Sequence, residues 1–571
     1  MIYALSGLVI SLILLIVSLF SKSKSIFSGG REPQSLTPLQ REVGREYINL
    51  KLPRHKIPFN EFCFPHKFKL QKPQKFVAEY MAPGSDCMNL LAYWGIGSGK
   101  SLGIIECCEK WTSRGKPLVI LPASLVSNFL NEMRSPLLGY KYISKEETEE
   151  IKVLKPSNFL YKEIIKRSNE KIYRKYDIMS YNKFMKKGAK LLPSFIAIDE
   201  IHNCLNQSGT IYKSISKFVR DRPNTKLLCL SATPIYDNKS ELLTLLKLMR
   251  VDIEPGLLDN PEQLRKALDG KISYFRGSPA HVYPDVTINY DVCRMSKFQS
   301  RWFRSEVEAE MKRSGNINLK EVSNNFYSKS RAKSNIVFPR GLAPSQGGLA
   351  KLTKSLILEN LSTYSIKFAR IIKRLKKKRL SFIYSSFAGL GGIQSLLRCL
   401  HAFGFRDYKS TASGPKYAIW SGNETASEKN AIQTIFNSPD NIDGKLIQVI
   451  IASPAGKEGV SFYNVRDIHL VDPYWNYSRI AQVIGRGVRT CSHKNLPKAE
   501  RNVTVYIYVA VTHDSSITKN NFINKREIKT NESIDGYILK IAENKRDENN
   551  ELLDLLTEIA VDKKLFQIKQ A

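Results

Sequence analysis

The sequence predicts an α/β protein with two parallel-sheet lobes, and three observations carry that prediction. Short apolar runs bounded by turn residues alternate with longer helix-compatible segments, and this rhythm occurs twice, on either side of an irregular middle. One glycine-rich turn, Gly95-Ile96-Gly97-Ser98-Gly99-Lys100-Ser101, lies between the apolar run Asn89 to Tyr93 and the helix-compatible segment Leu102 to Trp111. At 571 residues the chain exceeds the usual size of a single core, so two or more domains are expected.

Composition narrows the class. Hydrophobic content of 42% and aromatic content of 10% are those of a folded globular protein, which excludes whole-chain disorder. Lys plus Arg number 88 against 53 Asp plus Glu, a formal charge of +35 that favours a polyanionic partner such as nucleic acid or an acidic membrane surface. The nine cysteines are scattered without C-x-x-C spacing, which argues against a disulfide framework and against a zinc site, and implies a reducing compartment.

Residues 1–20 are uncharged and almost entirely apolar. As a helix this stretch would just cross the ~30 Å hydrocarbon core of a bilayer. Lys22 and Lys24 follow at once, so the segment reads as a transmembrane signal anchor with the bulk of the chain cytoplasmic. From 21 to 58 the composition is that of a linker, rich in Ser, Lys, Gly and Pro.

The first lobe is expected over 59–251. Its strands are Asn89–Tyr93, Leu118–Leu121, Tyr176–Ser180, Phe195–Ile198 and Leu227–Leu230. The glycine turn has the strand, loop, helix order of a phosphate cradle. Gly97, Ser98 and Gly99 let backbone N–H groups converge on phosphate oxygens, Lys100 neutralises the outer phosphates, and Ser101 offers its hydroxyl to Mg²⁺. The strict pattern asks for glycine at position 94, where this chain has Trp94. Gln74, upstream of the turn, has the bidentate amide that reads an adenine edge. The fourth run ends in Asp199-Glu200-Ile201-His202, where Asp199 can hold Mg²⁺ and Glu200 can orient and activate water. The fifth ends in Ser231-Ala232-Thr233-Pro234, small hydroxyl residues suited to reporting phosphate state.

The rhythm is lost over 252–356, read as an insertion between the lobes. The segment Ile366 to Leu380, with eight Lys and Arg, is a basic amphipathic helix whose charged face is either solvated or in contact with phosphates. The second lobe, 357–515, has strands at Ser381–Tyr384, Tyr417–Trp420, Ile447–Ala452, Asp467–Val471 and Val503–Val509, and no second cradle. Two such units with one cradle imply that the second closes over the first. Gln482-x-x-Gly485-Arg486-x-x-Arg489 supplies two arginines on one side of a helix or turn, placed to stabilise charge on a transferred phosphoryl group. Residues 516–571 are expected to form a helical extension.

The ordered set Gly97-Ser98-Gly99-Lys100-Ser101, Asp199-Glu200-Ile201-His202, Ser231-Ala232-Thr233, Ser453 to Ser461 with Gly459, and Gln482 to Arg489 resembles motifs I, II, III, V and VI of superfamily 2 helicases. Asn464-Val465-Arg466, Asp472 to Asn476 and Ser492 to Pro497 are similar to the Swi/Snf-like branch of large DNA viruses, which includes poxvirus nucleoside triphosphatase I and the small subunit of the viral early transcription factor. That resemblance implies two RecA-like lobes, ATP with Mg²⁺, and DNA-stimulated hydrolysis. It assigns adenine to Gln74, coupling to His202, Ser231, Thr233 and Gly459, and the catalytic set to Glu200, Gln482, Arg486 and Arg489. DNA rather than RNA, a viral RNA polymerase, and host cytoplasm or virion are the implied partners and places. Two function classes follow, a translocase or helicase and an initiation or termination factor that binds promoter DNA or polymerase without unwinding.

Overall fold

The computed structural model describes residues 58–64, 70–154, 158–254, 256–314, 327–342, 344–454, 460–520 and 528–563. The apolar segment 1–20 and all but the last residue of the expected linker lie outside the described residues, as does Gly459. Among the described residues no helix is long and apolar enough to cross a membrane.

The first sheet comprises β1 (Asn89–Trp94), β2 (Leu118–Leu121), β3 (Asp177–Ser180), β4 (Phe195–Ile198), β5 (Lys226–Ser231) and β6 (Ile272–Phe275), in the order β3-β2-β4-β5-β1-β6. All its pairings are parallel. Leu118-Val119-Ile120-Leu121 and Phe195-Ile196-Ala197-Ile198 are buried at every position, as central strands must be when helices cover both faces. This order makes β4, β5 and β1 neighbours. Their carboxyl ends carry Asp199-Glu200, Ser231 and the glycine turn, so three separate stretches of sequence meet at one edge of the sheet.

The second sheet, also parallel throughout, comprises β7 (Asp285–Arg294), β8 (Ser381–Tyr384), β9 (Arg406–Asp407), β10 (Lys416–Trp420), β11 (Val449–Ala452), β12 (Asp467–Leu470) and β13 (Asn502–Val511). Their order is β7-β13-β12-β8-β11-β10-β9. The stretch 252–356 is thus divided between the sheets. β6 pairs with β1, and β7 pairs with β13 from Asp285↔Asn502 to Arg294↔Val511. Both are edge strands with an incompletely buried pattern, so neither appears as an apolar run. The short connector 276–284 joins the two sheets. Within it Tyr283 Oη–H donates to Ile96 O at 3.3 Å, and Val282 O accepts from Cys491 N–H at 2.8 Å.

The C-terminal helix Ile534–Glu558 binds both lobes. Ile534, Ile538 and Leu539 lie in second-lobe cores, whereas Leu555, Leu556 and Ala560 lie in the first-lobe core. Beyond the helix, Val561 N–H donates to Ile272 O at 2.8 Å, and the buried carboxylate of Asp562 accepts from Tyr274 N–H at 2.8 Å and Ser273 Oγ–H at 2.5 Å. The start of the helix is held by a fully buried ion pair, Lys367 Nζ to Asp535 Oδ2 at 2.6 Å.

Two expectations change. Of the basic segment from Ile366, Lys367 is buried, and Arg370 and Arg374 both pair with Asp291, so these three charges hold the lobe together; Lys373, Lys376, Lys377 and Lys378 remain exposed. A disulfide joins Cys63 to Cys491, 428 positions apart, with Cα atoms 5.4 Å from each other. Residue spacing reveals only cysteines that are near in sequence, and this pair is brought together by docking of the short helix Phe59–Cys63 beside the second lobe. The other seven cysteines are free and buried.

The Lys367–Asp535 pair makes a direct prediction. Lys367→Ala leaves a buried carboxylate without its cation and should cost about 3–5 kcal/mol of stability. Lys367→Met combined with Asp535→Asn should recover most of that loss. Urea unfolding midpoints of the two variants check it; equal midpoints would show that the ion pair does not anchor the helix.

Candidate nucleotide site between the lobes

The cradle is built by backbone geometry. Gly97 and Gly99 have φ of +77° and +78°, in the left-handed region that favours glycine. A Cβ at Gly99 would fall 2.3 Å from Gln74 Nε2, so any side chain there would displace the Gln74 amide. The helix Lys100–Glu109 starts directly after it with no side-chain cap, which leaves its first N–H groups directed at the loop. Ser98 is fully buried, and its Oγ has no hydrogen-bond partner. An unpartnered buried hydroxyl on the glycine loop fits a phosphate oxygen.

The acidic pair stands opposite. Asp199 is buried, and Glu200, at φ +49°, donates its N–H to Asp199 Oδ1 at 3.0 Å. Glu200 Oε1 lies 3.7 Å from Lys100 Nζ, and Oε2 lies 3.4 Å from His202 Nδ1. Burial pushes the Asp199 carboxyl up, and the neighbouring Glu200 charge adds to it. Burial acts in the same sense on Glu200 but is outweighed by Lys100, His202, Arg486 and Arg489, which together hold its carboxyl below the usual range. The result is one carboxylate kept charged beside another that burial disfavours.

The second lobe reaches this pair directly. Gln482 lies on the helix Tyr477–Ile484, which Asn476 caps through its side chain. Gln482 Nε2 is 3.3 Å from His202 Nε2, and His202 Nδ1 is 3.0 Å from Ser231 Oγ and 3.5 Å from Thr233 Oγ1. A polar chain therefore runs from Ser231 and Thr233 through His202 to the opposite lobe. Gly485 packs against Ile96 of the cradle, and a Cβ at Gly97 would meet Thr490 Oγ1 at 3.1 Å. Arg486 is buried and donates to Val460 O at 3.0 Å, and Arg489 Nε is buried with no hydrogen-bond partner.

Comparison with known proteins agrees with this geometry. Residues 10–268 match the model of the SNF2-related domain, and residues 367–491 match that of the helicase conserved C-terminal domain. A protein of Acanthamoeba polyphaga mimivirus named as an ATP-dependent RNA helicase is 34% identical over 82% of this chain and 88% of its own. The chain belongs to the Swi/Snf-like viral helicases of superfamily 2. Nucleoside triphosphatase I of Heliothis armigera entomopoxvirus is 25% identical over 86% of this chain and 79% of its own length, and that of Choristoneura fumiferana entomopoxvirus is 26% identical over 85% and 78%. The protein is an NTP-hydrolysing, helicase-type enzyme that acts as an ATP-dependent motor on nucleic acid.

Two further residues lie buried beside the cradle. Gln74 is buried, and its amide is engaged within the first lobe, with Nε2 donating to Gly99 O at 2.9 Å and Oε1 accepting from Gln71 N–H at 2.8 Å. It braces the cradle. Trp94, the departure from the strict loop pattern, lies beneath the loop helix with no exposure and donates Nε1–H to Ser273 Oγ at 2.9 Å. Ser273 in turn contacts Asp562, so the residue just before the cradle is tied to the C-terminal segment.

Sequence reasoning missed Tyr236, whose ring stacks on His202 with centroids 4.9 Å apart and planes 5° apart, and Tyr283 on the connector. Neither falls in a motif. The nearest signal is that Tyr236 follows Thr233 by three positions.

The Trp94 packing is testable. A Cβ at Gly103 would lie 2.6 Å from the buried indole. Alanine in a helix gains about 1 kcal/mol over glycine, but overpacking costs about 1–3 kcal/mol, so Gly103→Ala should destabilise. Adding Trp94→Phe should restore stability by making room. Unfolding midpoints of the single and double variants decide it, and a stabilising Gly103→Ala would refute the packing.

Proposed function

We propose that the protein is a double-stranded DNA translocase that acts in viral transcription, driven by ATP bound with Mg²⁺ in the cleft between the lobes. The observation that carries the reading is the convergence of Lys100 and His202 from the first lobe, with Arg486 and Arg489 from the second, on the single carboxylate Glu200. Lys100 and the cradle N–H groups bind the phosphates. Glu200, held charged, orients and accepts a proton from the attacking water. Arg486 and Arg489 stabilise the charge that develops on the transferred phosphoryl group, and Gln482 transmits the event through His202 to Ser231 and Thr233.

The oxygen donors Ser101 Oγ and Asp199 suit Mg²⁺. Among the described residues no cluster of three or more His, Cys, Asp and Glu could hold a metal unaided, so the ion would take phosphate oxygens as further ligands. When bound, the ion would neutralise phosphate charge during transfer.

The +35 charge supports a polyanionic track whose binding weakens with salt. DNA rather than RNA is the track implied by the resemblance of the motifs to the Swi/Snf-like branch. The mimiviral relative is itself named as an RNA helicase, which makes RNA the second reading. Polymerase contact, and a role as an initiation or termination factor without unwinding, stay with the transcription proposal. So does placement in host cytoplasm or virion, with residues 1–20 as a membrane anchor.

ATPase rates with double-stranded DNA, single-stranded DNA and RNA compared side by side should be highest with duplex DNA; a rate highest with RNA would transfer the proposal to RNA. Lys100→Ala should abolish turnover, by about 10²-fold or more given the usual size of lost electrostatic stabilisation, while salt-sensitive DNA binding persists. Retained turnover would refute the site. For residues 1–20, carbonate extraction of tagged protein should leave it in the membrane pellet, and release to the supernatant would refute the anchor.

A further inference from the structure

The imidazole that connects the lobes is held by a residue outside every motif. His202 is buried, with Nδ1 3.0 Å from Ser231 Oγ and 3.4 Å from Glu200 Oε2, and Nε2 3.3 Å from Gln482 Nε2. Contacts at the two nitrogens resist rotation of the ring within its own plane; only a group against its face stops it tilting out of that plane. Hydrogen bonds weaken steeply as they bend, so a tilt loosens both ends at once. Tyr236 covers that face. Its ring is parallel to the imidazole, with planes 5° apart and centroids 4.9 Å apart, the offset stacking that aromatic rings prefer.

Tyr236 is itself anchored. Its N–H donates to Glu241 Oε2 at 2.6 Å, and the Asp237 N–H donates to the same oxygen at 3.0 Å. The Asp237 carboxylate pairs with Lys545 Nζ at 2.8 Å, and the Asp237 carbonyl accepts from Asn549 Nδ2 at 3.4 Å. Lys545 and Asn549 lie one turn apart on the C-terminal helix Ile534–Glu558. Beside Lys545, the Arg546 guanidinium lies over the ring of Tyr477, 4.7 Å from its centroid, and Tyr477 is the first residue of the helix that carries Gln482. One turn of the C-terminal helix thus touches both the segment behind His202 and the helix that bears its partner.

We propose that Tyr236 is a positioning residue for coupling between the lobes: its ring keeps the His202 imidazole aligned with Gln482, and the Lys545–Asp237 pair keeps Tyr236 in place. This rests on the reading above in which Gln482 acts through His202. The role needs the aromatic face and not the hydroxyl. Loss of the face frees His202 without touching the glycine loop, so the consequence falls on turnover and not on nucleotide binding.

The test measures ATP turnover of the full-length protein with saturating duplex DNA, alongside its affinity for methylanthraniloyl-ADP in MgCl₂. Tyr236→Leu keeps the position apolar but removes the stacked face; kcat should fall about tenfold or more, within the loss that a small misplacement at a reacting centre produces, with KM for ATP and probe affinity unchanged. Tyr236→Phe retains the face and should keep the wild-type kcat. Lys545→Met removes the cation that holds Asp237 and should lower kcat several-fold, again with unchanged probe affinity.

A wild-type kcat in Tyr236→Leu would overturn the proposal, as would a Tyr236→Phe as slow as Tyr236→Leu. A fall in kcat matched by an equal fall in probe affinity marks a merely structural role and would overturn it too. If melting temperatures show that Tyr236→Leu does not fold, Lys545→Met decides alone. His202→Ala and Gln482→Ala separate the two levels of the argument. If both turn over as wild type does, the coupling reading fails and the proposal fails with it; if both are slow and Tyr236→Leu is not, only the role of Tyr236 fails.

Discussion

The negative charge of Glu200 is the interaction on which the rest of the structure depends. A carboxylate so placed loses solvation, and it stays charged because Lys100 and His202 stand 3.7 Å and 3.4 Å away and two arginines approach from the other lobe. Lys100 and His202 belong to the first lobe, Arg486 and Arg489 to the second. The groups that lower the Glu200 carboxyl are therefore drawn from both lobes.

Several contacts keep the lobes at that distance. Gly485 rests on Ile96, Tyr283 donates to the carbonyl of Ile96, and Gln482 reaches His202. These are small polar or glycine contacts, which can be broken and remade in a cycle. The C-terminal helix is of a different kind. Its two ends are buried in the apolar cores of different lobes, and its first turn is held by a buried ion pair. Apolar burial at both ends is stronger than the contacts across the cleft. The helix thus limits how far the lobes can part, while Asp562, Ser273 and Trp94 connect its far end to the base of the cradle.

The central strands and the motif residues were legible in the sequence because each depends on local rules. Strands buried on both faces appear as apolar runs, and a phosphate loop must have glycine where φ is positive. Edge strands β6 and β7 were not legible, since a strand with one solvated side alternates and merges with its surroundings. The basic helix from Ile366 was legible as a helix, but nothing in its pattern distinguished arginines that pair with Asp291 from lysines that face water. Cys63 and Cys491 showed no spacing to read, and Trp94 read as an anomaly because its partner Gly103 is apparent only once the helix is laid over it.

By itself the sequence determined that this chain has two parallel-sheet units, one phosphate cradle, an acidic pair at a strand end and two arginines in the other unit. Those follow from backbone conformation and residue chemistry within a few positions. Only the tertiary structure decided that the strand order brings β4, β5 and β1 together, that Gln74 braces the loop, and that the C-terminal helix joins the lobes. Each of these is a proximity between residues distant in sequence, set by which surfaces must be buried together, and no local pattern encodes it.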